Sequence, residues 1–233
     1  MTHLPLLPQK PEIPFDSALA GKIDHTLLTP NATAAQINTL CQEALDYGFA
    51  TVCVNPYWVP LARHLLGPAG PVKVCTVIGF PLGASTTAAK VGEAQEAVNS
   101  GATELDMVLN ISALKDGDYR YVAAEIAQLV QAVQGKALVK VILETCYLNN
   151  EEKIKACEIA REAGADFVKT STGFGPAGAT TADIALMRRI VGTVMGVKAA
   201  GGIRDYATAL AMLDAGANRI GTSRGVQIVC QNS

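Results

Sequence analysis

Aromatic residues are scarce: Phe, Trp and Tyr make up 5% of the 233 residues. That leaves few rings for a base-stacking platform or an aromatic sugar groove. Neither sign of charge dominates. The formal net charge is −2 and the basic residues are scattered rather than gathered in a stripe, which argues against a nucleic-acid partner. Histidine occurs three times, at His3, His25 and His64, so a zinc cluster is not expected and no metal is assigned. The six cysteines, at positions 41, 53, 75, 146, 157 and 230, form no Cys-x-x-Cys and read as reduced thiols of a cytoplasmic protein. No stretch is long and apolar enough to span a bilayer, so no membrane association is expected. Residues 1–14 lack the continuous apolar core of a secretion leader. No Gly-x-Gly-x-x-Gly follows the first strand, which disfavours a dinucleotide-dependent hydride transfer, and no cofactor is expected.

What is present is a regular alternation. Short β-rich apolar runs at 22–27, 50–54, 72–78, 104–109, 138–143, 167–169, 196–198 and 219–221 read as strands. Helical patterns fill 33–47, 56–66, 86–100, 118–134, 150–163, 181–191 and 204–215, with a last helix beginning near Ser223. Glycines at 48, 101, 135, 164 and 216 stop helices. Eight strands, each followed by a helix, predict a closed (β/α)8 TIM barrel. The whole chain, 1–233, reads as a single domain with a short N-terminal extension at 1–20. An open doubly wound sheet is the rival, but it would gather polar groups at one switch point. Here they follow strands spread along the whole chain.

Side chains alternate along a strand, and the carboxyl ends of barrel strands face the site. Asp106, Lys169 and Lys198 are thereby placed in one interior, with Met107, Leu109, Met195 and Val197 turned toward the helices. One carboxylate facing two lysines cannot neutralise both, so one lysine is expected to shift toward the free amine. Only a free amine attacks a carbonyl. A purely structural ion network is the alternative, and it weakens when all three groups face one cavity. Lys140, early on its strand, reads as structural and paired with another core acid. Asp24 is near the pocket and suited to orienting a lysine. His25 reads as a structural imidazole and Cys53 as a pocket-wall residue.

Two glycine-bearing loops follow the last two expected strands: Ala200-Gly201-Gly202-Ile203-Arg204 and Gly221-Thr222-Ser223-Arg224-Gly225. Loops seven and eight are the usual phosphate site of this fold, and glycine lets backbone N–H groups approach an anion. Gly173 and Gly175 give the loop after Lys169 similar freedom. A lysine nucleophile, an adjacent acid–base pair and a phosphate clamp describe a Schiff-base aldolase or transaldolase acting on a phosphosugar. A barrel that only binds a phosphorylated ligand remains the alternative from another class. The residues alone do not choose between Lys169 and Lys198 as nucleophile.

Over nearly its full length the chain resembles the class I 2-deoxyribose-5-phosphate aldolases. The resemblance is carried by Ile23-Asp24-His25-Thr26-Leu27-Leu28, Val77-Ile78-Gly79-Phe80-Pro81-Leu82-Gly83, Glu104-Leu105-Asp106-Met107-Val108-Leu109-Asn110 and Val168-Lys169-Thr170-Ser171-Thr172-Gly173. Lys198-Ala199-Ala200-Gly201-Gly202-Ile203-Arg204 and Gly221-Thr222-Ser223 complete it. It implies an imine on Lys169, proton transfer by Asp106 and Lys198, and Asp24 in the site. It implies phosphate and substrate contacts from Thr172, Gly173, Gly201, Gly202, Gly221 and Ser223. It further implies reversible cleavage of 2-deoxy-D-ribose 5-phosphate to D-glyceraldehyde 3-phosphate and acetaldehyde, by a homodimer or homotetramer. Two departures stand out. Arg224 replaces a serine found in some members. The chain ends Val229-Cys230-Gln231-Asn232-Ser233, without the C-terminal tyrosine that assists proton transfer in others, so that helper is not expected here.

Overall fold

The computed structural model of the chain describes residues 6–9, 11, 13–67 and 69–230. Eight parallel strands close into a barrel in sequence order. They are β1 (Ile23–Leu27), β2 (Thr51–Val54), β3 (Lys73–Ile78), β4 (Glu104–Val108), β5 (Leu138–Ile142), β6 (Phe167–Lys169), β7 (Gly196–Ala200) and β8 (Arg219–Thr222). The helices are α1 (Ser17–Ala20), α2 (Ala34–Tyr47), α3 (Val59–Leu66), α4 (Thr87–Asn99), α5 (Ile111–Lys115), α6 (Tyr119–Val133), α7 (Asn150–Glu162), α8 (Thr181–Val191), α9 (Tyr206–Asp214) and α10 (Gly225–Cys230). The expected (β/α)8 barrel is therefore present. Of the expected N-terminal extension, residues 1–5, 10 and 12 lie outside the described residues.

Local chemistry sets the element ends. The α2 helix begins with a reciprocal capping box between Thr33 and Gln36 and stops at Gly48, whose φ of 67° is left-handed. Asn149 and Glu152 make the same box for α7. The helix expected from position 204 starts two residues later, because the Asp205 side chain accepts the Thr208 N–H and so becomes the cap. Two short helices lie outside the expected pattern. Asp16 caps α1 and Asn110 caps α5, and neither run is long enough to show a 3.6-residue apolar period.

Period-2 alternation builds two different interiors. One strand face (Val52, Val54, Leu105, Met107, Val139, Val141, Val197 and Ala199 among others) packs on Ile37, Leu65, Ile126, Ile184 and Met187 of the helices in one continuous apolar layer. The other face lines the inside of the barrel. That space is commonly filled by branched apolar residues, but here it holds buried Asp24, Glu104, Asp106, Lys140, Lys169 and Lys198.

Candidate active site

Asp106 sits at the centre of the barrel interior. Its Oδ2 accepts from Lys169 Nζ and from Lys198 Nζ, each at 2.7 Å. Its Oδ1 accepts from Lys140 Nζ at 2.8 Å and from the Cys75 thiol at 3.2 Å. Strand register explains the convergence: Asp106 lies opposite Lys140 across β4 and β5, and Lys169 lies opposite Lys198 across β6 and β7. Asp24 pairs with Lys198 and, at 2.6 Å, with Arg219 Nη1. Glu104 pairs with Lys140 at 2.6 Å and with Arg219 at 3.1 Å.

The expectation of one carboxylate facing two lysines is thus corrected. Three carboxylates (Asp24, Glu104, Asp106) face four cations (Lys140, Lys169, Lys198, Arg219). The excess is still one positive charge. Lys140 does pair with another core acid, Glu104, but it also bonds directly to Asp106. Sequence reasoning missed Glu104 and Arg219 as members. The signal was available, since Glu104 is two residues before Asp106 and Arg219 two before Gly221, each on the same strand face.

Burial alone would raise the carboxyls and lower the ammonium groups. For Asp106, desolvation is outweighed by Lys140, Lys169 and Lys198, which hold it well below the usual carboxylate range. Asp24 is likewise held low against desolvation by Lys198, Lys140 and Arg219. Desolvation of Lys140 and Lys198 is overcome by the acids around them, and both are raised. Asp106 is the strongest of those acids in each case, and Asp24 adds to both.

Above this network lies a cavity of about 310 Å3, lined by Lys169, Thr172, Gly173, Gly201, Gly202, Gly221 and Ser223, with Arg204 and Arg224 at the same mouth. Asp24, Asp106 and Lys198 do not line it: Asp106 connects to it by its bond to Lys169, Lys198 through Asp106, and Asp24 through Lys198. Gly201 and Gly202 have φ of 86° and 81°, a left-handed pair that a side chain would oppose. At Gly221 a Cβ would stand 3.0 Å from Lys198 Cε, so glycine there makes room for the lysine stem. Thr172 is differently disposed. Its N–H and its hydroxyl both donate to the buried Glu144 carboxylate, so its own donors are turned away from the cavity. Glu144 is spaced two and four residues from Ile142 and Lys140, the one sequence signal that it belonged to the site, although β5 ends at Ile142 and Glu144 itself is left-handed.

Cys53, expected on the pocket wall, does not line the cavity; it lies fully buried, packed with Leu28, Cys75 and Val77. His25 Nε2 is 2.6 Å from Glu43 Oε2, which fits a structural imidazole. Two groups, Cys53–Cys75–Asp106 and Asp24–Cys75–Glu104, bring ligand-type atoms within 4.8 Å of one another. In each, the carboxylates are already paired with lysine or arginine, so a cation would have to displace an ammonium or guanidinium group. The C-terminal residues 231–233 lie outside the described residues. Among the described residues, no helix is long and apolar enough to cross a membrane.

Comparison with known proteins agrees with this architecture. A deoxyribose-phosphate aldolase of Caldanaerobacter subterraneus subsp. tengcongensis is 64% identical over 213 residues, covering 91% of this chain and 92% of its own. A crystal structure from Coccidioides immitis, of a protein proposed to be a deoxyribose-phosphate aldolase, superposes with a TM-score of 0.90 at 43% identity. It covers 96% of this chain and 88% of that one. The tetrameric deoxyribose phosphate aldolase of Aeropyrum pernix gives a TM-score of 0.82 at 38% identity, covering 91% and 89%. The family model described as DeoC/LacD family aldolase matches residues 18–229. This chain belongs to the DeoC/LacD family of aldolases.

Proposed function

We propose that the chain is a deoxyribose-phosphate aldolase that works through a lysine imine on Lys169. The carrying observation is that Lys169 Nζ is the one amine of the network that also lines the cavity, while its neighbour Lys198 holds the same Asp106 oxygen from below. With four cations to three carboxylates, release of one proton brings the network to balance. Lys169 is the member from which that proton has a path to the cavity.

The chemistry follows from this placement. The free amine of Lys169 adds to C1 of the open-chain sugar. The carbinolamine loses water, and the resulting iminium ion is the electron sink. The C3 hydroxyl gives up its proton, the C2–C3 bond breaks, and its electron pair forms the enamine on the lysine. Glyceraldehyde 3-phosphate leaves. The enamine carbon is then protonated and water hydrolyses the imine, releasing acetaldehyde. Asp106 and Lys198 move these protons, directly or through a water, and Asp24 holds Lys198 in place. The iminium supplies the polarisation, so neither a metal nor a cofactor is assigned a step.

At the other end of the cavity, backbone N–H groups of Gly201, Gly202 and Gly221 and the side chain of Ser223 receive the phosphate, with Arg204 and Arg224 contributing positive potential. Gly173 lines the same wall. The partner is a small phosphorylated sugar rather than a nucleic acid or a membrane. The tetramer of Aeropyrum pernix supports assembly as a homo-oligomer, which we read as a homodimer or homotetramer. The buried Cys41, Cys53, Cys75 and Cys157, none of them in a disulfide, fit a cytoplasmic location. We assign the whole chain to one catalytic domain preceded by the extension at 1–20.

Borohydride reduction in the presence of acetaldehyde tests the reading. A reduced ethyl adduct mapped to Lys169 is expected, and an adduct on another lysine rejects the assignment. Acetaldehyde should serve as donor where dihydroxyacetone phosphate does not. The reverse preference would place the chain with another lysine aldolase.

A further inference from the structure

We propose that Glu144 is a positioning residue whose buried carboxylate sets the loop after Lys169 and, through it, the phosphate end of the cavity. The proposal rests on the deoxyribose-phosphate aldolase reading above.

Glu144 follows β5 by two residues. Among the described residues it is the one non-glycine with a left-handed backbone, at φ 54° and ψ 63°. Crowding between Cβ and the following carbonyl disfavours that region for any side chain longer than glycine, with Asn and Asp the usual exceptions. Glutamate is a poor choice for the backbone alone, so the reason lies in the side chain. The turn is fixed from both flanks: Leu143 N–H donates to the Lys169 carbonyl at 2.9 Å and Thr145 N–H to the Thr170 carbonyl at 3.0 Å. Between these two bonds the left-handed residue swings its carboxylate over the β6 loop.

The loop closes around that carboxylate. Thr172 N–H lies 3.2 Å from each carboxylate oxygen, and the Thr172 hydroxyl donates to Oε2. The hydroxyl oxygen then accepts the Phe174 N–H at 3.0 Å. A Cβ at Gly175 would stand 3.0 Å from Cys146 Sγ and 3.2 Å from Glu144 Cδ, so glycine there lets the chain pass close to the carboxylate. Among the described residues Glu144 makes no ion pair within 4.0 Å. Its carboxylate serves as an acceptor for the loop and not as a counter-charge.

The effect reaches the anion end by contact. Thr170 Oγ1 donates to the Ala200 carbonyl and accepts the Ala200 N–H, both at 3.0 Å. A Cβ at Gly201 would lie 3.0 Å from Gly178 Cα, 3.4 Å from Ser171 Cβ and 3.7 Å from Gly173 Cα. The β6 loop is thus packed against Gly201, one of the residues offered to the phosphate. Without Glu144, the Thr172 N–H and hydroxyl lose their common partner. Gly173 and Gly201 lose the support that keeps their backbones at the cavity wall.

Two variants separate positioning from stability. Glu144→Gly deletes the carboxylate and also relieves the left-handed backbone, whereas Glu144→Gln keeps one acceptor oxygen for Thr172. In Glu144→Gly the KM for deoxyribose 5-phosphate is expected to rise about tenfold or more, with a smaller change for unphosphorylated deoxyribose and with Lys169 still trapped by borohydride. Hydrogen exchange at the Thr172 and Phe174 amides should accelerate, and the Kd for inorganic phosphate should weaken in parallel. Glu144→Gln should return all three readouts most of the way to wild type. An unchanged phosphate Kd and unchanged exchange in Glu144→Gly overturn the proposal. So does an equal loss on both sugars accompanied by a lower Tm, which is the mark of a merely structural residue. If wild-type protein neither cleaves the sugar phosphate nor forms the Lys169 adduct, the aldolase reading fails, and exchange and phosphate binding still decide the role of Glu144.

Discussion

Lys169 and Lys198 are register partners on adjacent strands, and their amino nitrogens lie 2.7 Å from one and the same oxygen of Asp106. A shared acceptor holds the two nitrogens close while leaving them unequal. Lys198 is enclosed and also bound to Asp24, whereas Lys169 opens on the cavity. The two lysines thus differ in surroundings: Lys198 is held by two acids, Lys169 by one acid beside the cavity.

Replacing Lys198 by methionine removes one cation from a network that has one too many. Asp24 keeps Arg219 and Asp106 keeps Lys140 and Lys169, so the fold should survive, with Tm lowered by the lost pairs. The proton-transfer role predicts a fall in kcat of about 10²–10⁴. Single-turnover kinetics and a thermal melt measure the two effects, and a large loss of stability with retained turnover would reverse the assignment.

The interior network also predicts how stability depends on pH. Asp24 and Asp106 titrate lower in the folded protein than their usual 3.8. Their contribution is complete above that value and is lost as pH falls toward the folded pKa. Lys140 and Lys198 titrate higher than 10.5, so theirs is complete below that value and lost as pH rises beyond it. The stability difference between wild type and Asp106→Asn should be flat from about pH 5 to 9 and shrink on both sides. Urea melts across pH read it directly, and a steady slope through neutrality would contradict the charge pattern.

Much of this was legible in the sequence, and the exceptions have physical reasons. Glycine-stopped helices and short apolar strands identified the closed barrel, and the period of two placed Asp106, Lys169 and Lys198 in one interior. Strand register, which the period of two does not specify, is what brings Lys140 opposite Asp106. The Arg219–Glu104 pair and the Thr172–Glu144 bond join residues 115 and 28 positions apart, beyond any local pattern. Short α1 and α5 depend on a single capping side chain each, a weaker signal than an apolar stripe.

A second buried ion pair supports the loops on the opposite side of the mouth. Lys90 Nζ lies 2.9 Å from Glu125 Oε1 with both side chains fully enclosed, and Lys90 also donates to the Val108 carbonyl at 2.9 Å. Glu125 accepts the Asn110 N–H at 3.1 Å. Removing one partner strands the other charge, so Lys90→Met should cost about 3–5 kcal/mol. The double variant with Glu125→Leu should recover part of that loss. A double-mutant cycle by chemical denaturation checks the coupling, and additive single effects would show that the pair contributes nothing as a pair.

Gly221 gives a test of geometry without a change of charge. Its Cβ position lies 3.0 Å from Lys198 Cε and 3.1 Å from Ala200 Cβ. Gly221→Ala must push the lysine stem aside by a few tenths of an ångström, shifting Nζ from Asp106 and Asp24. Because small displacements of reacting groups are costly, kcat should fall about tenfold with Tm little changed. A variant with normal turnover would mean that the exact seat of Lys198 is unimportant.

Ser223 is exposed at the end of β8, on the wall of the cavity beside Arg224. If this wall receives the phosphate, an acidic side chain there repels the ligand while leaving the lysine network untouched. Ser223→Glu should raise the KM for deoxyribose 5-phosphate by about tenfold or more, since two like charges in a shared site disfavour each other. Cleavage of unphosphorylated deoxyribose should change little, because that sugar carries no anion to repel. Added salt should soften the defect on the phosphorylated substrate by screening. An equal loss on both sugars, insensitive to salt, would remove Ser223 from the anion site and leave the glycine backbone of Gly201 and Gly202 as its remaining candidate.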